Sequence, residues 1–206
     1  MQRYFITGIG TDVGKTVASA IITEALEADY WKPVQAGDLE HSDTHKIQDL
    51  ISNSKTSFHK NAYALNTPMS PHASAEIDNV QIKVEDIKTP ETSNLLVVEG
   101  AGGILVPLSE TKTILDLIKP TDKVILVSRH YLGSINHTLL SAEMLKAKGI
   151  HNVALLFNGD EHVTTESIIK KMTGYPVLGR INNETEITKS VISKYAEELK
   201  EALKTF

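Results

Sequence analysis

Arg3-Tyr4-Phe5-Ile6-Thr7-Gly8-Ile9-Gly10-Thr11-Asp12-Val13-Gly14-Lys15-Thr16 decides the fold. Arg3–Thr7 is a short run rich in aromatic and β-branched residues, as a buried strand requires. A glycine-punctuated turn follows, and Lys15–Ala28 then carries a helical pattern. A strand, a glycine loop and a helix opening on Gly-Lys-Thr are the context of a phosphate-binding loop. Its glycines let successive backbone N–H groups face phosphate oxygens, and the helix N-terminus adds partial positive charge. Lys15 reaches the β- and γ-phosphates in such a loop, and the Thr16 hydroxyl faces Mg²⁺. The loop is an enlarged variant, because Gly8 precedes Gly14 by six positions and Gly10 by four, where the common pattern has five.

Outward from the loop, short apolar runs alternate with longer helical ones. Asn94–Val98, Lys123–Ser128 and Asn152–Phe157 read as strands buried on both faces, and Tyr30–Pro33 and Tyr175–Leu178 as weaker ones. Ser134–Lys148, Thr164–Met172 and Glu184–Thr205 read as helices. This alternation predicts an α/β fold: a doubly wound, mostly parallel sheet with helices on both faces, of the P-loop NTPase-like kind. The segment from Gln35 to Thr92 is polar, holds three of the seven prolines, and offers only short helices such as Thr44–Ile51. It reads as an excursion over the carboxyl ends of the strands, where ligands bind in this architecture.

Composition bounds the rest. The chain has 206 residues, which suits a single domain spanning 1–206. Hydrophobic residues make up 41% and charged residues 23%, ordinary for a globular chain. The net charge is −5 and no Lys/Arg run exceeds Lys170-Lys171, so no nucleic-acid footprint is expected. There are no cysteines, which removes disulfides, thiol nucleophiles and cysteine zinc sites. No apolar run is long enough to span a membrane, and no signal peptide precedes the first strand, so a cytoplasmic location is expected. The eight histidines show no ligand spacing, and no metal-binding histidine is assigned.

Three further groups carry chemistry. Leu95-Leu96-Val97-Val98-Glu99-Gly100-Ala101-Gly102-Gly103 ends a buried strand in an acid and glycines. Glu99 there either holds Mg²⁺ or is a solvated strand-end acid. Tyr30-Trp31-Lys32-Pro33-Val34 places Lys32 near a strand end, to stabilise a transferring phosphoryl group or simply to meet water. Ser42-Asp43-Thr44 opens a helix, and Asp43 either caps it or faces metal opposite Glu99.

Together these pieces resemble the dethiobiotin synthetase family. The matching stretches are Tyr4 to Gly8, Thr11 to Ser19, Trp31 to Val34, Ser42-Asp43, Ser70-Pro71-His72, Val97 to Gly103, Pro107-Leu108-Ser109, Gly133 to His137, and Asn158. Beyond about residue 158 the match is in general pattern only. The resemblance implies an ATP- and Mg²⁺-dependent ligase of biotin biosynthesis that closes a cyclic urea from 7,8-diaminononanoate and CO2 (or bicarbonate). It implies Thr11, Lys15 and Lys32 as catalytic residues, and Gly10, Thr11, Asp12, Val13, Gly14, Lys15, Thr16, Val17 and Asn158 as the nucleotide site. It implies Thr16, Asp43 and Glu99 around Mg²⁺, and Lys32 with Gly133, Ser134, Ile135 and Asn136 at the substrate. It further implies a homodimer whose Gly133–Asn136 turn serves the partner's site. The chain departs from the family at Ala36, where a hydroxyl residue is common, and at Asp12, where some members have glutamate.

Two other classes compete. A cobyrinate amide synthetase shares the architecture, but its larger members carry a glutaminase cysteine that this chain lacks. A ParA/MinD-type ATPase switch has a signature lysine five residues before the loop lysine, where Gly10 stands here.

Overall fold

The computed structural model describes residues 1–206. The elements run β1 (Arg3–Gly8), α1 (Lys15–Leu26), β2 (Asp29–Trp31), β3 (Val34–Ala36), α2 (Asp43–Leu50), β4 (Phe58–His59) and β5 (Tyr63–Leu65). They continue α3 (Pro71–Ile77), β6 (Leu96–Gly103), β7 (Lys123–Arg129), α4 (Ser134–Ala147), β8 (Val153–Asn158), α5 (Val163–Thr173), β9 (Val177–Ile181) and α6 (Lys189–Thr205). Seven strands form one sheet in the order β4-β2-β6-β1-β7-β8-β9, and every pairing in it is parallel.

The chain moves from β1 toward β2 in one direction and from β7 through β8 to β9 in the other. Right-handed crossovers taken in opposite directions place their helices on opposite faces. Accordingly α1 packs with α6, and α4 packs with α5. β1 is buried along its whole length, as a central strand covered on both faces must be. The direction changes at β1, so the crevice beyond the carboxyl ends of β6, β1 and β7 is the position where this architecture binds ligands.

Several elements differ from the sequence reading. β6 runs on through Gly100–Gly103, where glycines had suggested a turn, because Gly8 pairs with Gly103 beside β1. The polar excursion is more ordered than expected. It contributes edge strand β4 to the main sheet and forms a second parallel pair, β3 with β5. The last helix begins at Lys189 rather than Glu184, because the Thr188 hydroxyl accepts from the Val191 N–H and caps it there. β2 ends at Trp31, leaving Lys32 and Pro33 in the link to β3.

Candidate functional site

The loop Ile9–Gly14 joins β1 to α1. Gly14 has φ +93°, a conformation that costs an L side chain energy and suits glycine. A Cβ at Gly14 would also lie 2.2 Å from Asn158 Nδ2. That amide donates to the Val13 carbonyl at 2.8 Å, so the end of β8 fastens the loop from outside. Arg129, at the end of β7, fastens it again by donating to the Asp12 carbonyl at 3.1 Å.

Lys15 does not extend into solvent. It is buried, and its Nζ donates to the Gly10 carbonyl at 2.9 Å. Burial, with the Lys32 charge adding to it, pulls its ammonium below the usual lysine range despite Glu99, Asp43 and Asp12 nearby.

The pleat of the sheet builds the acidic part. In the β2·β6 register Tyr30 pairs with Val97 and Trp31 with Val98, so Tyr30 and Lys32 share a face with Glu99. Glu99 is 1% exposed. Its Oε1 accepts from Thr16 Oγ1 at 3.0 Å and from Lys32 Nζ at 3.0 Å. Its Oε2 accepts from the Tyr30 hydroxyl at 3.0 Å. Lys32 also donates to Asp43. Burial alone would lower the Lys32 ammonium, but Glu99 and Asp43 hold it above its ordinary value. Burial would raise the Asp43 carboxyl, but Lys32 beside it holds it below.

Asp43 is not the helix cap. Ser42 holds that position: its hydroxyl accepts from the His45 N–H, and its own N–H donates to His45 Nδ1 at 3.2 Å. Asp43 is the first helical residue, with its carboxylate free to meet Lys32. Its N–H donates to Gln35 Oε1 at 3.4 Å, and Gln35 Nε2 is held by the Gly37 carbonyl at 2.9 Å.

These groups open into one cleft of about 900 Å³. Thr11, Asp12, Gly14, Lys15, Thr16 and Val17 line it, as do Lys32, Asp43, Glu99 and Asn158. Gly10 and the buried Val13, though part of the loop, do not line the cleft. Gly133, Ser134, Ile135 and Asn136 do not line it; they open α4, with Ser134 buried and the other three at the surface. Gly133 has φ +102° and offers no side-chain cap, and of the first-turn amides of α4 the Ser134 N–H is met by the Tyr131 carbonyl at 2.9 Å. Ala36 turns its methyl to the cleft where a hydroxyl was noted as common.

Sequence reasoning missed several lining residues. Asn182, Asn183 and Glu184, just past β9, wall the end beside Asn158. The run Asn-Asn-Glu after a strand was their one signal: Glu184 was read into the last helix, and Asn182 and Asn183 lay between the elements read from the sequence. Gln35, at the edge of the polar excursion, left no signal, nor did Tyr30, which stands behind the cleft against Glu99 and was read as part of a short strand.

The donor set fits Mg²⁺: two carboxylates and a hydroxyl, all hard oxygens, converge on a position that already attracts the Lys32 ammonium. Magnesium sites commonly use one or two carboxylates and leave the other positions to water and substrate phosphates.

Comparison with known proteins gives three results. A family model described as an AAA domain matches residues 2–191. Among curated relatives, the ATP-dependent dethiobiotin synthetase BioD of Christiangramia forsetii is 60% identical, covering 98% of each chain. Its namesakes from Cytophaga hutchinsonii (51% identical, covering 97% of each chain) and Chlamydia pneumoniae (43%, covering 98% of this chain and 90% of the other) are similar too. Among solved structures, MinD cell division protein of Aquifex aeolicus superposes with a TM-score of 0.62 at 13% identity, covering 100% of this chain and 98% of the other. A ParA family ATPase from Chlorobium tepidum gives 0.58 at 14%, covering 98% and 93%. At such low identity these two likenesses establish a shared fold and nothing finer.

Proposed function

This chain belongs to the ATP-dependent dethiobiotin synthetase family, and from that premise we propose how its own residues carry the reaction. The activity is that of an ATP-dependent ligase of biotin biosynthesis, acting on 7,8-diaminononanoate and CO2. One amine of the diamine adds to CO2 and loses a proton, giving a carbamate. A carbamate oxygen attacks the γ-phosphorus of ATP, and ADP leaves. The second amine attacks the carbamoyl carbon, and phosphate leaves as the cyclic urea closes.

The convergence of Lys15, Thr16, Lys32, Asp43 and Glu99 in one cleft carries this assignment. Phosphoryl transfer asks mainly for positioning and for charge complementary to the moving phosphoryl group. The loop N–H groups and the start of α1 cradle the phosphates, and Asn158 with Asn182 and Asn183 lines the nucleobase end. Lys15 turns from the Gly10 carbonyl to the β- and γ-phosphates. Lys32 and Thr11 face the carbamate and the γ-phosphate. Thr16, Asp43 and Glu99 hold Mg²⁺, which supplies positive charge against the phosphate oxygens. The lining fits a nucleotide plus a short-chain substrate, since ligand pockets span roughly 300–1,000 Å³.

The substrate carboxylate is bound by the Gly133–Asn136 turn of a second subunit. Two features support this. The first-turn amides of α4 lack a side-chain cap. Around them Tyr131, the fully exposed Leu132, Ile135 and Leu140 form an apolar surface that suits a two-fold interface. The reading treats 1–206 as one catalytic domain, supported by a single hydrophobic cluster running from Tyr4 to Leu203. No helix is long and apolar enough to cross a membrane, and the enzyme works in the cytoplasm on this reading.

The test is direct. The protein is incubated with ATP, Mg²⁺, bicarbonate and 7,8-diaminononanoate, with Lys15→Ala in parallel, and the cyclic urea is sought by mass spectrometry. Dethiobiotin formed by the wild type and not by Lys15→Ala is expected. ATP hydrolysis independent of the diamine, with no cyclic product, would defeat the assignment.

A further inference from the structure

We propose that Tyr30 is a positioning residue for the metal site: its hydroxyl fixes the Glu99 carboxylate so that Oε1 is presented to Thr16 and the cation. The inference rests on the reading of Glu99 as a Mg²⁺-binding residue.

The geometry is specific. Tyr30 is completely buried, on the face of β2 shared with Lys32 and beside β6. A buried phenol needs a partner for its O–H, and that of Tyr30 donates to Glu99 Oε2 at 3.0 Å. The other donors both address Oε1, namely Thr16 Oγ1 and Lys32 Nζ, each at 3.0 Å. The carboxylate therefore has one oxygen held from inside the sheet and one turned toward the cleft. Without the phenol, Oε2 would lie in the core with no donor, and only the two bonds to Oε1 would set the rotation of the group about its last bond. Groups behind a metal ligand act in this way, fixing its orientation, and their loss typically weakens metal binding by roughly 10–100-fold. Thr16 gains from the same arrangement. It donates its proton to Oε1, so its oxygen lone pairs stay available to a cation.

Packing is the competing role for this ring. Tyr30 stacks at a tilt against Phe58, with centroids 6.0 Å apart. Tyr30→Phe keeps that contact and removes the hydroxyl alone. Phe58→Leu disturbs the contact and leaves the hydroxyl in place.

Metal affinity of the ADP-bound protein is measured by Mn²⁺ electron paramagnetic resonance, and ADP affinity without metal by calorimetry in EDTA. Tyr30→Phe is expected to weaken Mn²⁺ binding by about tenfold, to leave metal-free ADP affinity unchanged, and to recover turnover when Mg²⁺ is raised. Phe58→Leu should lower the unfolding midpoint without moving Mn²⁺ affinity. Glu99→Gln is run beside them. If Glu99→Gln weakens Mn²⁺ binding and a folded Tyr30→Phe does not, the positioning role of Tyr30 is overturned and the metal site stands. Equal Mn²⁺ losses in Phe58→Leu and Tyr30→Phe would likewise overturn it, as packing alone would then account for the effect. If Glu99→Gln itself leaves Mn²⁺ affinity unchanged, the metal reading falls and takes this inference with it.

Discussion

Gly14→Ala is the most informative single perturbation of the phosphate loop, because its cost divides into parts that can be measured separately. The first part is backbone strain. At φ +93° an alanine loses about 1–2 kcal/mol relative to glycine. The second is steric. The new methyl would sit 2.2 Å from Asn158 Nδ2, so the amide must swing away and give up its 2.8 Å bond to the Val13 carbonyl. That bond is worth about 1 kcal/mol. The variant should therefore lose roughly 2–3 kcal/mol in all. Asn158→Ala should lose about 1 kcal/mol through the same bond. In the double variant the bond is already absent and the clash has gone, leaving only the strain added. Its loss should match that of Gly14→Ala alone, a coupling of about 1 kcal/mol against additivity, which is well above the scatter expected for independent sites. Urea unfolding followed by circular dichroism gives all four stabilities. Additive losses would show that the methyl and the amide never meet, and the argument that β8 fastens the loop would fail.

Asp43→Asn should raise the half-saturating Mg²⁺ concentration by about tenfold, and any loss of stability should come from the weakened pairing with Lys32 rather than from fraying of α2, which Ser42 and not Asp43 caps; an unchanged titration would remove Asp43 from the metal site. Asp29 is buried where β2 begins, and burial alone would raise its carboxyl, but donors from Thr92, Ser57, His59 and Asn94 hold it below its usual range. A depressed folded-state pKa means that the stabilisation is present above the unfolded value, near 3.9, and is lost as pH falls through the folded one. Asp29→Asn should thus cost about 2 kcal/mol at pH 7, with a gap from the wild type that closes below about pH 4 in urea titrations; a gap that is constant with pH would contradict this. Mixed dimers of Lys15→Ala and Asn136→Asp subunits should recover roughly half of wild-type activity per dimer if sites are shared, since one site then carries both lesions and the other neither. No recovery, with mixed dimers shown to form, would place each site within one subunit.

The parts legible in the sequence were those where local pattern and global role agree. Arg3–Thr16 declares strand, loop and helix at once, and Lys123–Arg129 and Val153–Asn158 are long enough for their apolar runs to show. The rest was hidden for physical reasons. β6 runs through Gly100–Gly103, and glycine in isolation signals a break; only its neighbour β1 makes the extended path favourable. β3 and β5 are three residues each, too short for a period. Ser42 and Asp43 are equally good caps by type, and the choice between them is made by Lys32, which claims Asp43 through tertiary contact. Of the cleft residues, Glu184 was lost because a helix start was placed too early, and Thr188 decides that start; Asn182 and Asn183 fell between elements, where no period marks a residue. Lys15 was recognised by its motif, but its burial was invisible, since the carbonyl it folds back upon belongs to a loop whose shape no periodicity encodes.

The central position of β1 has a consequence for how the protein comes into being. β1 is paired only with strands that follow it at a distance in the chain, β6, beginning at Leu96, and β7, beginning at Lys123. Until those segments emerge, the apolar run Tyr4-Phe5-Ile6 has no strand partner, and the phosphate loop has neither Asn158 nor Arg129 to fasten it. Parallel pairings between distant segments pay loop-closure entropy before any contact is gained, so such topologies fold slowly. The cleft is therefore assembled only after β6 to β8 have been made, and until then the β1 segment is an exposed apolar stretch of the kind that chaperones protect.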